Sequence, residues 1–307
     1  VLVFNPSAGT ADGDADFLGT VRRHLRDVNI DAAVFEADEP QKFADATAAA
    51  RRQGVKLVIA CGGDGTLEAV ANGLVNSDMT LGILPAGTRN NLAASLQVPT
   101  HLAEAAALLR HGAVQAIDVV HVRCGDQERW FLELFTAGLL SDMFENAEAL
   151  QKGNWGALGE LAAQFVGSTP AALRLEVDDE QGKHQPIETE AHALLALNTP
   201  YVGANFRVAD DIHYDDGCLD VFLYAGLNQL DLVAHGLAIA TDTEPDPRIR
   251  RLRARRLTLY AEPPVPILVD GINLGEGPAT LQVHPGALHV ITGTAAEVAA
   301  RKQAIIC

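Results

Sequence analysis

Residues 57–66 read Leu57-Val58-Ile59-Ala60-Cys61-Gly62-Gly63-Asp64-Gly65-Thr66, an apolar run that breaks into three glycines around one carboxylate. An apolar run without polar alternation suits a strand buried on both faces, as in a parallel sheet layered between helices. The glycines allow a tight turn, and the apolar spacing of residues 67–74 predicts a helix directly after it. A strand, a Gly-rich turn and a helix N-terminus together point backbone N–H groups and the positive end of a helix dipole at an anion, so this is a candidate phosphate cradle. A carboxylate inside such a cradle needs a cation or a hydroxyl proton beside it. Asp64 therefore contacts Mg2+ or polarises an acceptor hydroxyl; the plainer alternative is that it caps the helix.

Working outward, residues 1–4 form a short apolar run, Phe17, Val21 and Leu25 recur at helical spacing, residues 32–35 read as a strand, and an Ala-rich helix leads into Leu57. Residues 81–84 make the next strand. It ends in a second small-residue loop, Pro85-Ala86-Gly87-Thr88-Arg89-Asn90-Asn91, which again precedes a helical pattern. This βαβ rhythm predicts a parallel-sheet α/β nucleotide domain over residues 1–122. Ligands in open α/β sheets bind beyond the carboxyl ends of the strands, which puts Thr88 and Asn90 beside Asp64 if both strands are parallel. A third turn, Asn5-Pro6-Ser7-Ala8-Gly9-Thr10, follows the first strand and adds small hydrogen-bonding groups at the same edge.

Past about residue 118 the pattern changes. Short strand-like stretches at 116–122, 130–134, 173–177, 191–197, 219–224, 257–260, 267–269, 280–283 and 288–291 are separated by polar turns. They predict an antiparallel, β-sandwich-like or barrel-like domain over residues 123–291. Residues 295–305 look helical, so the tail 292–307 is expected to pack back on the first domain.

The 307 residues are 48% hydrophobic, enough for two cores, yet no apolar stretch approaches the roughly 20 residues of a membrane-spanning helix. With 40 acidic against 23 basic residues the formal charge is -17, which argues against a nucleic-acid partner. One basic cluster stands out: Arg248, Arg250, Arg251, Arg253, Arg255 and Arg256. It is either a solvated loop and strand face or a holder of phosphate or lipid headgroups. Cys61, Cys124, Cys218 and Cys307 show no CxxC spacing, so reduced thiols are expected rather than disulfides or zinc. With no export-signal pattern before the strand at Val1, the expected setting is cytoplasmic, peripheral at the inner membrane surface.

In this order FNPSAG, GGDGTLEAVANGL and PAGTRNNLA resemble the diacylglycerol kinase catalytic-domain family, as in bacterial diacylglycerol and sphingosine-type lipid kinases. The similarity continues through Ile117-Asp118, residues 152–158, residues 215–220, Asp270-Gly271 and residues 285–288. The resemblance implies a nucleotide domain, a β domain with a lipid-accepting cleft, and an active site between them. It also implies ATP and Mg2+ as cofactors and a lipid substrate met through transient contact with a membrane surface; a homodimer is compatible with it. Carried over by position, Gly62, Gly63, Asp64, Gly65 and Thr66 resemble the phosphate and metal loop, and Asn5, Thr88 and Asn90 resemble other nucleotide-site residues. Asp216 resembles the family's acidic metal ligand in the β domain, completed by carbonyls near His213 and Cys218. Its alternative is an Asp-Gly turn.

One departure bears on chemistry. Bacterial relatives usually read Asp-Gly-Glu where this chain has Asp270-Gly271-Ile272, and that glutamate is expected near the acceptor hydroxyl. Gly275, Pro278, Pro285 and Ala287 keep the register. Positioned acid-base help is worth about 10²–10⁴ in rate, so Asp64, Asp270 or Glu276 would have to stand in, with Asp64 and Asp270 the catalytic candidates. The reading is an ATP-dependent lipid kinase; the alternative is a nucleotide- or lipid-binding relative with weak or no turnover. Leu134, Phe135, Leu139, Leu140, Phe144, Trp155, Leu158 and Phe165 line an acyl cleft or pack the core, and residues 145–156 gate such a cleft or merely connect. An NAD kinase would share the GGDG loop, but its Asn-Glu pair and Thr-Pro-x-Gly-Ser-Thr element are absent.

Overall fold

The computed structural model describes residues 1–9, 16–141, 169–202, 206–209, 211–227, 231 and 248–293. Thr10, Phe144, Trp155, Leu158, Phe165, the segment 145–156 and the predicted tail helix lie outside the described residues. The chain divides into two compact units, residues 1–117 with 285–307, and residues 118–284.

The first unit alternates β1 (Leu2–Phe4), α1 (Phe17–Asp27), β2 (Val34–Glu36), α2 (Pro40–Arg52), β3 (Leu57–Gly62), α3 (Asp64–Leu74), β4 (Thr80–Pro85), α4 (Asn91–Ser95) and α5 (Leu102–His111). Its strands run β2-β1-β3-β4, every neighbouring pair parallel. Residues 58–62 of β3 and 81–85 of β4 are buried without alternation, as expected of strands covered on both faces. Helix α3, which follows the Gly-rich turn, is held against α2 at close range. Gly73 faces buried Thr47, and a methyl carbon at Gly73 would stand 2.6 Å from Thr47 Cβ.

Between the units run β5 (Ala113–Cys124) and β16 (Ala279–Thr292), each with residues in both. In the first unit, His289 and Val290 of β16 pair in parallel with Thr80 and Leu81 of β4.

The second unit holds β6 (Gln127–Phe131), β7 (Leu134–Gly138), β8 (Ala171–Asp179), β9 (His184–Leu197), β10 (Tyr201–Val202), β11 (Phe206–Arg207), β12 (Leu219–Ala225), β13 (Arg250–Glu262), β14 (Pro266–Val269) and β15 (Ile272–Glu276). Its described strand pairs are all antiparallel. Two strands are longer than their apolar runs predict, because each serves three partners: β9 pairs with β7, β8 and β12, and β13 with β8, β12 and β16. β9 pairs with β8 through its amphipathic first half, up to Ala191, and with β7 and β12 through its buried second half. β13 pairs with β12 up to Ala254 and with β8 from there onward. Burial of the second halves comes from tertiary partners, while the alternating halves satisfy one apolar face only.

Leu134, Phe135 and Leu139 lie in the hydrophobic cores of this unit, and Leu140 packs against one of them. Of the two uses their sequence left open, core packing is the one observed.

Gly73→Ala is expected to destabilise the protein by about 1–3 kcal/mol through overpacking, despite alanine's higher helix propensity. The urea unfolding midpoint measures this; an unchanged or raised midpoint would mean that α2 and α3 do not approach so closely.

Candidate functional site

The three predicted loops of the first unit leave the carboxyl ends of adjacent parallel strands. Phe4 of β1 is in register with Cys61 of β3, and Cys61 with Leu84 of β4. Hydrogen bonds join the loops: Asn5 N–H donates to the Cys61 carbonyl at 3.0 Å, and Ala86 N–H to the Gly62 carbonyl at 2.9 Å. Asn5 Nδ2 donates to Thr66 Oγ1 at 2.8 Å, while Asn5 Oδ1 accepts Ser7 N–H at 2.9 Å. Gly63 lies against Gly87 so closely that a Cβ on Gly63 would stand 3.1 Å from Gly87 Cα, and one on Gly87 would collide with Gly63 Cα. Glycine at both positions is what lets the second and third loops meet.

Asn90 shapes the last of these loops from the left-handed region, at φ 54°. Its Oδ1 accepts Gly87 N–H at 2.9 Å and its Nδ2 donates to the Gly87 carbonyl at 2.8 Å. Asp64 is the first residue of α3 and not its cap, which is Gly63 in an extended conformation. Its Oδ1 accepts Leu92 N–H at 3.2 Å, tying the start of α3 to the start of α4. Burial pushes the Asp64 carboxyl above the usual range, opposed by the N–H groups of Leu92, Asn91 and Asn90 and by the Arg89 charge.

These ties leave the chain itself to meet a ligand. Among the described residues, the N–H groups of Asp64 and Gly65 have no protein acceptor. The space over Gly65 is open, since a Cβ there would meet nothing within 4 Å. Free N–H donors at the head of an eleven-residue helix fit a phosphate. Asn5, Thr66 and Asn90 are hydrogen-bonded within the protein and hold the cradle in shape, whereas Thr88 is exposed. Mg2+ bound with a nucleotide takes one or two protein carboxylates, so Asp64 alone is a sufficient donor set. Cys61, in the strand beneath, is not reactive: burial pushes its thiol up to about 12.

In the second unit, the Asp216 carboxylate is held by groups of the protein itself. Its Oδ1 accepts Cys218 N–H at 3.0 Å and its Oδ2 is bonded to the Arg253 guanidinium. No group of three or more His, Cys, Asp or Glu residues arranged to hold a metal ion occurs among the described residues. Three arginines of the cluster find counter-ions inside the protein. Arg251 pairs with Asp211 and Asp220, Arg253 with Glu180 and Asp216, and Arg248 with Asp231. These pairings are not legible in the sequence, because the acids lie 17 to 73 residues from their arginines.

Asp270 and Gly271 form a two-residue hairpin turn between β14 and β15, both at positive φ (44° and 82°), and Val269 pairs with Ile272 across it. The Asp270 carboxylate is turned inward, accepting N–H from Leu132 at 2.8 Å, Glu133 at 3.1 Å and Leu134 at 2.8 Å. Burial nevertheless pushes its pKa up to about 6. A carboxylate holding three backbone donors positions the 132–134 turn. Ile272 is 41% exposed, an apolar side chain at the surface. Sequence reasoning quoted Asp118 without assigning it work; it is buried and its Oδ2 accepts Gly217 N–H at 2.6 Å, fixing the loop that carries Asp216. It missed Asn198, also buried, whose Nδ2 donates to the carbonyls of Asp118 and Leu132.

Residues 1–122 match the family described as "Diacylglycerol kinase catalytic domain", and residues 146–292 match "YegS C-terminal NAD kinase beta sandwich-like domain". Residues 1–122 belong to the diacylglycerol kinase catalytic-domain family. The expected α/β domain followed by an antiparallel β-sandwich-like domain is thereby borne out as well.

A Synechocystis protein, "Uncharacterized protein sll0036", is 28% identical over 94% of this chain and 69% of its own length. "Putative lipid kinase SH2167" of Staphylococcus haemolyticus is 27% identical over 78% of this chain and 77% of its own. Among solved structures, "Crystal structure of a putative diacylglycerol kinase from Bacillus anthracis str. Sterne" superposes with a TM-score of 0.74 at 26% identity, covering 95% of this chain and 94% of that one. No described helix is long and apolar enough to cross a membrane.

The turn at Asp270 makes stability depend on pH. The folded-state pKa lies above the ordinary 3.8, so the contribution is complete below 3.8 and is lost as pH rises through about 6. In urea titrations of wild type and Asp270→Asn, the stability gap should widen in favour of wild type as pH falls across that window. A constant gap would mean that Asp270 titrates as an ordinary carboxylate.

Proposed function

We propose that the protein is an ATP-dependent lipid kinase that transfers the γ-phosphoryl group to a hydroxyl of diacylglycerol or a related lipid, such as a sphingoid base or phosphatidylglycerol. The observation that carries this reading is the cradle at residues 62–66, where three loops converge at strand ends, the Asp64 and Gly65 N–H groups have no acceptor among the described residues, and the space over Gly65 is open. Membership of a kinase family supports the reaction class. Bound ATP with Mg2+ would supply the phosphoryl group and neutralise its charge.

This chain's own contributions are positional and electrostatic, as phosphoryl transfer requires. The N–H groups of Asp64 and Gly65 hold phosphate oxygens. Asp64 receives the metal and faces the acceptor hydroxyl, its raised pKa bringing it nearer to the range of a useful base. Asn5, Thr66 and Asn90 keep the loops in place, so the donors need no reorganisation when the ligand arrives. Thr88 and Arg89 lie on the loop that meets Gly63 and offer a hydroxyl and a positive charge to the nucleotide. The β-sandwich-like unit is the lipid-accepting part, reached by transient contact with a membrane surface.

Purified protein incubated with γ-labelled ATP, Mg2+ and a panel of diacylglycerol, sphingoid and phospholipid acceptors should label one lipid class, and Asp64→Ala should abolish the label. Measurable ATP binding with no labelled lipid would instead favour a ligand-binding family member without turnover, the reading that Ile272 supports.

Because Ile272 is partly exposed at a strand end, a glutamate fits there without burying a charge. Ile272→Glu is expected to raise the transfer rate at least about tenfold, within the usual reach of acid-base assistance. An unchanged rate would show that position 272 does not face the acceptor in this chain.

A further inference from the structure

The loop of residues 214–220 in the second unit is held by charge from every side. Gly217 N–H donates to Asp118 Oδ2 at 2.6 Å, and Cys218 N–H to Asp216 Oδ1 at 3.0 Å. The other Asp216 oxygen is bonded to Arg253 Nη2. Arg253 is itself anchored, with Nη1 2.9 Å from Glu180 Oε2 and Nε 4.0 Å from Asp220 Oδ1. The Asp220 side chain, 1% exposed, is gripped by Arg251 through Nε at 2.8 Å and Nη2 at 2.7 Å, and the remaining Arg251 nitrogen meets Asp211 at 2.7 Å.

This arrangement follows from strand register. β12 and β13 are antiparallel with Asp220 opposite Arg253 and Phe222 opposite Arg251. Successive residues of a strand alternate faces, so Arg251 and Arg253 stand on one side together. Their guanidinium groups therefore arrive at Asp216 and Asp220 as fixed parts of the sheet. Arg253 and the Cys218 N–H occupy two of the about four lone-pair directions of the Asp216 carboxylate, and a divalent cation at the others would stand beside the guanidinium charge.

We propose that Arg253 is a built-in counter-ion that replaces a divalent cation at Asp216 and makes the 214–220 loop independent of metal. A guanidinium stays charged at any pH at which the protein is folded. It also cannot be removed by chelation, so the loop keeps its shape in the absence of free Mg2+ or Ca2+. The inference concerns structure and does not depend on the kinase reading, and its test uses neither ATP nor lipid.

The test is a thermal melt of the full chain in EDTA and in excess Mg2+ or Ca2+, for wild type, Arg253→Met, Arg253→Lys and Asp216→Asn. Wild type should melt within about 1 °C of the same temperature with and without cation. Arg253→Met leaves Asp216 unpaired and should melt roughly 4 °C or more lower in EDTA, with at least half of the loss recovered on adding Ca2+. Arg253→Lys keeps the charge and should remain insensitive to cation. The proposal is overturned if wild type gains stability with cation and Asp216→Asn does not, or if Arg253→Met melts like wild type in EDTA. If Arg253→Met fails to fold, the comparison of wild type with Asp216→Asn decides alone.

Discussion

Backbone N–H groups in loops have no ladder to join, and each one removed from water must find an acceptor. In this protein aspartate carboxylates take several of them. Asp64 accepts from Leu92, Asp118 from Gly217, Asp216 from Cys218, and Asp270 from Leu132, Glu133 and Leu134. A carboxylate is acceptor-only, with about four lone-pair directions, so one side chain can gather donors from a segment distant in sequence. Asp270 and Leu134 are 136 residues apart. Burial makes such carboxylates costly to ionise, and the donated N–H groups offset part of that cost.

The nucleotide loops show what this bracing achieves. Their side chains face one another: Asn5 meets Thr66, Asn90 meets Gly87, and Asp64 meets the start of α4. What is left outward is main chain at the head of α3, with glycines allowing two loops to touch at Gly63 and Gly87. A rigid set of backbone donors suits phosphate, which is recognised by charge and direction more than by side-chain identity. The same economy explains why an exchange of one side chain, such as that at position 272, need not disturb the cradle.

Charge is handled differently in the β-rich unit. The chain carries a formal charge of -17, yet Arg251 and Arg253 of β13 are matched with acids from β12 and from the loops around them. Pairing across strands fixes both partners by register. Arg251 and Arg253 therefore act inside the fold, while Arg250, Arg255 and Arg256 are exposed.

The order of strands and helices in the first unit, the three loops at its strand ends and the change to antiparallel structure near residue 118 were legible in the sequence. Each depends on local chemistry: unbroken apolar runs mark doubly covered strands, and glycines mark turns that admit no side chain. Tertiary structure alone decided which groups surround each carboxylate. Asp64, Asp216 and Asp270 look alike in their motifs, Gly-Asp-Gly, Asp-Asp-Gly and Asp-Gly. Only the fold brings Arg253 to the second of them and three backbone N–H groups to the third, because strand register and long-range turns set those neighbours, and no local pattern of residues encodes them.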